Sequence, residues 1–245
     1  MSPLATSLGL ATLAGITIPL GALLAQVERI HPRWLEAELR HSMIAFGGGV
    51  LLAAASLVLV PEAISVLTWP WIVLAFGGGG FAFFLLDRAI ERRGGEAALL
   101  MAMLLDFIPE AMAVGAALAS GMQIGMLLVL LIALQNLPES FNAYREIIAR
   151  GQHSRQTVLT LFSLLVLLGP LSAYVGHAFL ASAPALLAGV MLFAAGGIIY
   201  LTFEDIAPQA VLRRHWAPPL GAVAGFLLGI VGRVAFLTRV SPLET

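Results

Sequence analysis

Asp106, Glu110, Gln135 and Glu139 are oxygen-bearing side chains set inside stretches otherwise built from Leu, Ala, Ile and Met. They belong to two nearly matching phrases, Asp106-Phe107-Ile108-Pro109-Glu110-Ala111 and Gln135-Asn136-Leu137-Pro138-Glu139-Ser140, 29 residues apart. A carboxylate inside hydrocarbon costs roughly +2.5 to +3.5 kcal/mol on insertion scales, so such residues are kept for an ion, a proton or a substrate. The proline before each Glu withdraws one N–H from the helix ladder. It thereby releases a carbonyl in the preceding turn, which at membrane depth is tolerable beside protein, water or a bound cation. Asp106 and Glu110 are four residues apart, and Gln135, Glu139 and Asn142 follow an i, i+4, i+7 spacing, so each set shares one helical face. If the two faces meet, they enclose an oxygen-rich cavity with Asn136 at its margin. Three carboxylates in a low dielectric need a counter-cation, and neither segment carries Lys or Arg at that depth. A divalent metal or bound protons must supply it.

The elements that position these groups follow from composition. The chain has 245 residues, 60% hydrophobic and 11% charged, with a mean hydropathy of +0.96, which excludes a water-soluble domain and predicts an all-α polytopic membrane protein. Windows long enough to cross ~30 Å of hydrocarbon lie at about 3–26, 41–64, 70–90, 96–119, 124–147, 158–181, 184–211 and 217–237, giving eight spans in a single domain over 1–245. The first window lacks a basic leader region and a cleavage site, so it reads as a retained span.

All thirteen basic residues are Arg, and eleven of them fall in alternate connections: Arg29, Arg33 and Arg40; Arg88, Arg92 and Arg93; Arg145, Arg150 and Arg155; Arg213 and Arg214. The intervening connections near 65–70, 120–123 and 182–184 carry no charge. The positive-inside rule puts the Arg-bearing side in the cytoplasm and both termini on the other side. No nucleic-acid partner is expected; the bilayer is the main one. The absence of Cys excludes disulfides and thiolate ligands. The Ala/Leu/Gly/Arg-rich, Lys-free usage points to a prokaryote, hence to its inner membrane.

A constant offset of 147 residues lays Phe46-Gly47-Gly48-Gly49 on Phe193-Ala194-Ala195-Gly196, and Val60-Pro61-Glu62-Ala63 on Ala207-Pro208-Gln209-Ala210. The second and seventh spans run in opposite directions, so the repeat is inverted. With the antiparallel central pair this predicts a 3+2+3 arrangement, a recurrent design of secondary transporters. The runs Gly47 to Gly49, Gly77 to Gly80, and Gly196 with Gly197 are read as close-packing surfaces, since none opens a phosphate-binding strand-turn-helix unit.

On these residues the chain resembles the Zrt/Irt-like (ZIP) divalent metal transporters, especially their bacterial branch, over essentially its whole length. The family's fourth span typically reads His-Asn-x-Pro-Glu-Gly, and its fifth carries Gln or His, then Asn, Asp or Glu, then Pro-Glu. Carried over by position, Glu110, Gln135, Asn136 and Glu139 match, and Asp106 replaces the first His. The resemblance implies a metal centre halfway across the membrane, alternating access in which the fourth and fifth spans move with their partners, and a homodimer. Phe107 stands where the motif has Asn, Ala111 and Ser140 stand where Gly is usual, and Gly169-Pro170 replaces a Glu-Pro of the sixth span. Two oxygen ligands of a second metal position are therefore absent, and one metal site is expected. A site without His or Cys has hard ligands that suit Mn²⁺, Fe²⁺ or Mg²⁺, while Zn²⁺ stays compatible with a carrier that must release its cargo.

Glu62, Asn142, Glu204 and Asp205 are candidate pathway residues, and His41 and Ser56 could face the same path. His177 and the methionines read as packed residues. No enzymatic role is expected, because the His-Glu-x-x-His helix of an intramembrane metallohydrolase is lacking. The other alternative is a transport-incompetent relative acting as a metal sensor or scaffold.

Overall fold

A computed structural model describes residues 2–27, 33–93, 97–122, 124–151, 153–211 and 217–238. Among these residues every regular element is helical, as hydrocarbon demands of a chain that must satisfy its backbone groups internally. The chain-order elements are α1 (Pro3–Val27), α2 (33–64), α3 (Trp69–Arg93), α4 (Ala97–Ala119), α5 (Ile124–Arg150), α6 (Arg155–Leu180), α7 (Pro184–Ala210) and α8 (Ala217–Thr238). Seven of them are long and apolar enough to cross a membrane, the signature of a multi-pass membrane protein. The remaining helix, α4, has 23 residues and carries Asp106 and Glu110.

Several helices reach further than hydropathy alone suggests. Arg33 and Arg40 lie on α2, Arg88 on α3, and Arg145 and Arg150 on α5, where connections were expected. Leu35-Glu36-Ala37-Glu38-Leu39-Arg40 is rich in good helix formers, and Glu146 holds Arg150 one turn on at 2.7 Å, so the backbone stays helical past the apolar stretch. Arg155 opens α6 behind Ser154, whose Oγ accepts the Thr157 N–H at 3.1 Å as an N-cap. Arg29, Arg213 and Arg214 lie outside the described residues.

Three helices contain a π turn: Ala55–Leu59 in α2, Gly176–Leu180 in α6 and Thr202–Ile206 in α7. The turns in α2 and α7 are 147 residues apart, and each leads into a short helix with Pro61 or Pro208 in its first turn. A proline withholds its N–H and crowds the carbonyl one turn back, and a wide turn relieves both. Pro109 and Pro138, by contrast, sit inside unbroken α4 and α5.

The helices pack through glycine. α2 lies against α8, with a Cβ on Gly49 meeting the Ala222 backbone and one on Gly225 meeting Phe46. α3 lies against α7 in the same way, through Gly79 at Phe193 and Gly196 at Phe76. α4 and α6 meet at Gly115 with Ala173 and at Gly176 with Met112, while α1 meets α5 at Gly21 beside Leu137 and Ser140. The glycine run of α3 is thus only half used, since a side chain at Gly77 or Gly78 would meet no other atom. α1, α4, α5 and α6 form one closely packed group, and the pairs α2/α8 and α3/α7 stand beside it.

Candidate functional site

The two Pro-Glu phrases face each other where α4 crosses α5. Asp106, Glu110, Gln135 and Asn136 are all buried, Glu110 and Gln135 completely. Gln135 Nε2 donates to Glu110 Oε2 at 2.7 Å. A carboxylate can only accept, so the amide must present its nitrogen there, and its Oε1 is left pointing elsewhere. That oxygen is buried with no hydrogen-bond partner, as are Glu110 Oε1, Asn136 Oδ1, Asn142 Oδ1 and both carboxylate oxygens of Glu139. Every one of these atoms is an acceptor. Asp106 differs, since its Oδ1 accepts the Phe107 N–H at 2.8 Å.

Asp106 and Glu139 look into a cavity of about 90 Å³ between α4 and α5 on one side and α2 and α7 on the other. Its wall includes Gly47 and Gly48 of α2, Asn142 and Glu146 of α5, and Asp205 and Gln209 of α7. Gly47 earns its place sterically: a Cβ there would stand 3.2 Å from the Pro138 ring. Asn142 Nδ2 donates to the Pro138 carbonyl at 2.8 Å, which leaves its Oδ1 as the unpartnered end of the amide. Gln209 Nε2 donates to Asp205 Oδ1.

The cavity adjoins a wider one of about 460 Å³, with which it shares Ile44, Asn142, Glu146 and Gln209, at the helix ends that carry Arg40 and Arg145. In the opposite direction the way is filled. Ala111, Val114 and Ala117 of α4, Leu127, Leu128 and Leu131 of α5, Val58 and Leu59 of α2, and Met191 of α7 are all buried there.

Of the residues expected to form the centre, Glu110 and Gln135 are joined by their hydrogen bond and Asp106 and Glu139 share the cavity wall, whereas Glu110, Gln135 and Asn136 do not line the cavity. Asn136 Nδ2 points to the Ala14 carbonyl of α1 at 3.5 Å, away from the cavity. Among the described residues no group of three or more His, Asp or Glu side chains stands close enough to hold one metal ion. Asn142 and Asp205 line the cavity. Glu62 and Glu204 do not: Glu62 sits half-buried at the far end of α2 and Glu204 is exposed on α7. His41 reaches the wider cavity, whereas Ser56 is exposed and turned back to the Leu52 carbonyl. His177 belongs to the π turn of α6 and lines neither of these cavities.

Glu146 and Gln209 were not foreseen as lining residues. A signal existed for each: Glu139, Asn142 and Glu146 follow i, i+3, i+7 spacing on one face of α5, and Gln209 is the 147-residue counterpart of Glu62. Phe107, expected only to lack a donor, is also a wedge. It is buried, and its Cζ would stand 3.1 Å from a Cβ on Gly169 and 3.5 Å from one on Gly15, so the ring fills the junction of α1, α4 and α6.

No family model matches the chain, and no curated protein matches it.

Proposed function

We propose that this protein is a ZIP-like transporter that carries a divalent metal, Zn²⁺, Mn²⁺ or Fe²⁺, through one central site of carboxylate and amide oxygens. The observation that carries the reading is the set of buried, unpartnered oxygens on Glu110, Gln135, Asn136 and Glu139. A buried acceptor without a donor costs about 1–3 kcal/mol, more if charged, and a bound cation would relieve that cost where these oxygens reach it. The side chains must close in to share an ion, and the unpartnered Glu139 has no hydrogen bond to break in doing so.

The arrangement of the helices supports the same reading. The contacts α1/α5 and α2/α8 recur as α6/α4 and α7/α3, which is what an inverted 3+2+3 repeat requires, and the paired π turns obey the same offset. The cavity lies between the group of α1, α4, α5 and α6 and the helices α2 and α7. Movement of that group would carry the oxygens from a path open at the Arg-bearing end to one open at the other, where apolar side chains now close the way. With the Arg-bearing end cytoplasmic, the described conformation is open inward. Protonation of Asp106, Glu110 or Glu139 would compete with the metal and favour its release. Phe107, wedged against Gly169, leaves one metal position where relatives often have two. The helix faces α3 and α8 turn outward and are available to lipid or to a second copy in a homodimer.

Metal uptake into proteoliposomes tests the proposal. Wild-type protein accumulates Zn²⁺ or Mn²⁺, Glu110→Ala and Glu139→Ala do not, and native mass spectrometry finds one metal per chain. Uptake by either variant at the wild-type rate refutes the assignment, and binding without any uptake turns the reading toward a sensor.

A further inference from the structure

Glu110 and Gln135 stand apart from the cavity that Asp106 and Glu139 line, and the antiparallel run of α4 and α5 explains why. α4 ends in a turn where Gly121 takes φ 73° and the Met122 N–H closes on the Ala117 carbonyl, and α5 starts back at Ile124. Four residues along a helix are about 6 Å. The step from Asp106 to Glu110 on α4 and the step from Glu139 to Gln135 on α5 therefore both lead that far from the Arg-bearing end. The polar groups form two layers, Asp106 with Glu139 and, one turn deeper, Glu110 with Gln135. The first layer opens to the cavity, with Asn142 beside it. The second has no exposed surface, and Val114 and Leu131, a further turn on, are buried and apolar.

Within the second layer Gln135 Nε2 donates to Glu110 Oε2 at 2.7 Å, and among the described residues this is the one side-chain hydrogen bond that either group makes. A donor on an ionised oxygen forms a bond about twice as strong as a neutral pair. Among the described residues no three carboxylates stand close enough to share an ion. A cation in the cavity thus meets Asp106 and Glu139, with Glu110 tied back behind them.

We propose that Gln135 is a positioning residue that holds Glu110 away from the ion while the cavity is open. The ion gains the third carboxylate only when the Gln135 amide lets go, so the amide weakens binding and speeds release. This rests on the transport reading for the identity of the ion. Gln135 acts here through its nitrogen, on Glu110, whereas a plain ligand would act through its oxygen, on the metal. The two roles have opposite signs. Removing a ligand lowers affinity, and removing the tether raises it.

The test is Mn²⁺ titration of the purified full chain in detergent at fixed pH, together with Mn²⁺ uptake into proteoliposomes. Gln135→Met keeps the length of the side chain and loses its donor; its soft sulfur is a poor partner for Mn²⁺. It should bind Mn²⁺ about tenfold more tightly, the worth of a hydrogen bond to a charged group. Its uptake should show a lower KM and a lower maximal rate. In the Glu110→Gln background the same change should bring no gain, since there is no carboxylate to release. Glu110→Gln by itself should weaken binding about tenfold less than Glu139→Gln does, because in the wild type the ion gains Glu110 only by breaking the Gln135 bond. This comparison decides the matter even if Gln135→Met fails to reach wild-type helicity. Weaker binding in a folded Gln135→Met, an equal gain with and without Glu110, or equal losses in Glu110→Gln and Glu139→Gln overturns the proposal. If wild-type uptake is intact in any of these cases, the transport reading stands and the tether alone falls. A wild type that binds Mn²⁺ and moves none, with the affinities as expected, keeps the tether and loses the transport reading, and one that binds no metal loses both.

Discussion

Glu139→Gln changes one charge at constant shape, in a side chain whose two carboxylate oxygens are buried and make no hydrogen bond. Without metal, the protein should lose nothing by the change and should melt at the wild-type temperature or slightly above. With metal, the outcome reverses. Removing one partner of a buried charge pair costs about 3–5 kcal/mol, equivalent to two to four powers of ten in affinity. At a metal concentration 100 times the wild-type Kd, binding stabilises the wild type by about 2.7 kcal/mol, and a variant weakened 100-fold retains only about 0.4 kcal/mol. For a chain of this length 1 kcal/mol corresponds to about 2–4 °C, so the metal-induced rise in Tm should shrink from about 5–10 °C to about 1 °C. The assay is thermal unfolding in detergent with and without Zn²⁺ or Mn²⁺ at fixed pH. A full wild-type shift in Glu139→Gln would mean that this carboxylate does not touch the metal, and a large fall in the metal-free Tm would mean that it is a structural group instead.

Protons and metal compete for the same oxygens, so the metal-induced rise in Tm should decrease as pH falls from 8 to 5, and a pH-independent shift would place the metal elsewhere. Asp106→His should raise the ratio of Zn²⁺ to Mn²⁺ affinity, because imidazole nitrogen favours zinc while the harder ion loses an anionic oxygen; competitive uptake measures the ratio, and an unchanged value excludes Asp106 as a ligand. Gly49→Ala should lower stability by about 1–3 kcal/mol, since its Cβ would run into the Ala222 backbone of α8, whereas Gly77→Ala, with nothing nearby, should be neutral in denaturation experiments.

The sequence by itself determined that the chain is helical and built for a membrane, because apolar runs of that length leave no other way to satisfy the backbone. It also determined which polar residues share a face: Asp106 with Glu110, and Gln135 with Glu139, follow from the 3.6-residue period alone. The 147-residue offset put Pro61 and Pro208 at matching positions, and the π turn before each follows because a proline acts on its own preceding turn wherever the helix lies. Helix ends were less legible. Arg33, Arg40 and Arg150 were read as connections because hydropathy records where hydrocarbon ends, while the backbone ladder continues into water.

Only the tertiary structure decided which helix faces meet. Nothing local distinguishes Asp205, which lines the cavity, from its exposed neighbour Glu204; the π turn of α7 and the placement of α7 against α2 and α5 make the difference. The same holds for Gly79 and Gly77, two residues apart in one run, of which one meets a neighbouring backbone and the other meets nothing. Phe107 looked like a missing ligand until Gly169 and Gly15, distant in sequence, were seen to leave room for its ring. The period of a helix fixes relative directions within one segment. The absolute direction depends on close approach between segments far apart in the chain, which is set by packing that no single stretch of residues contains.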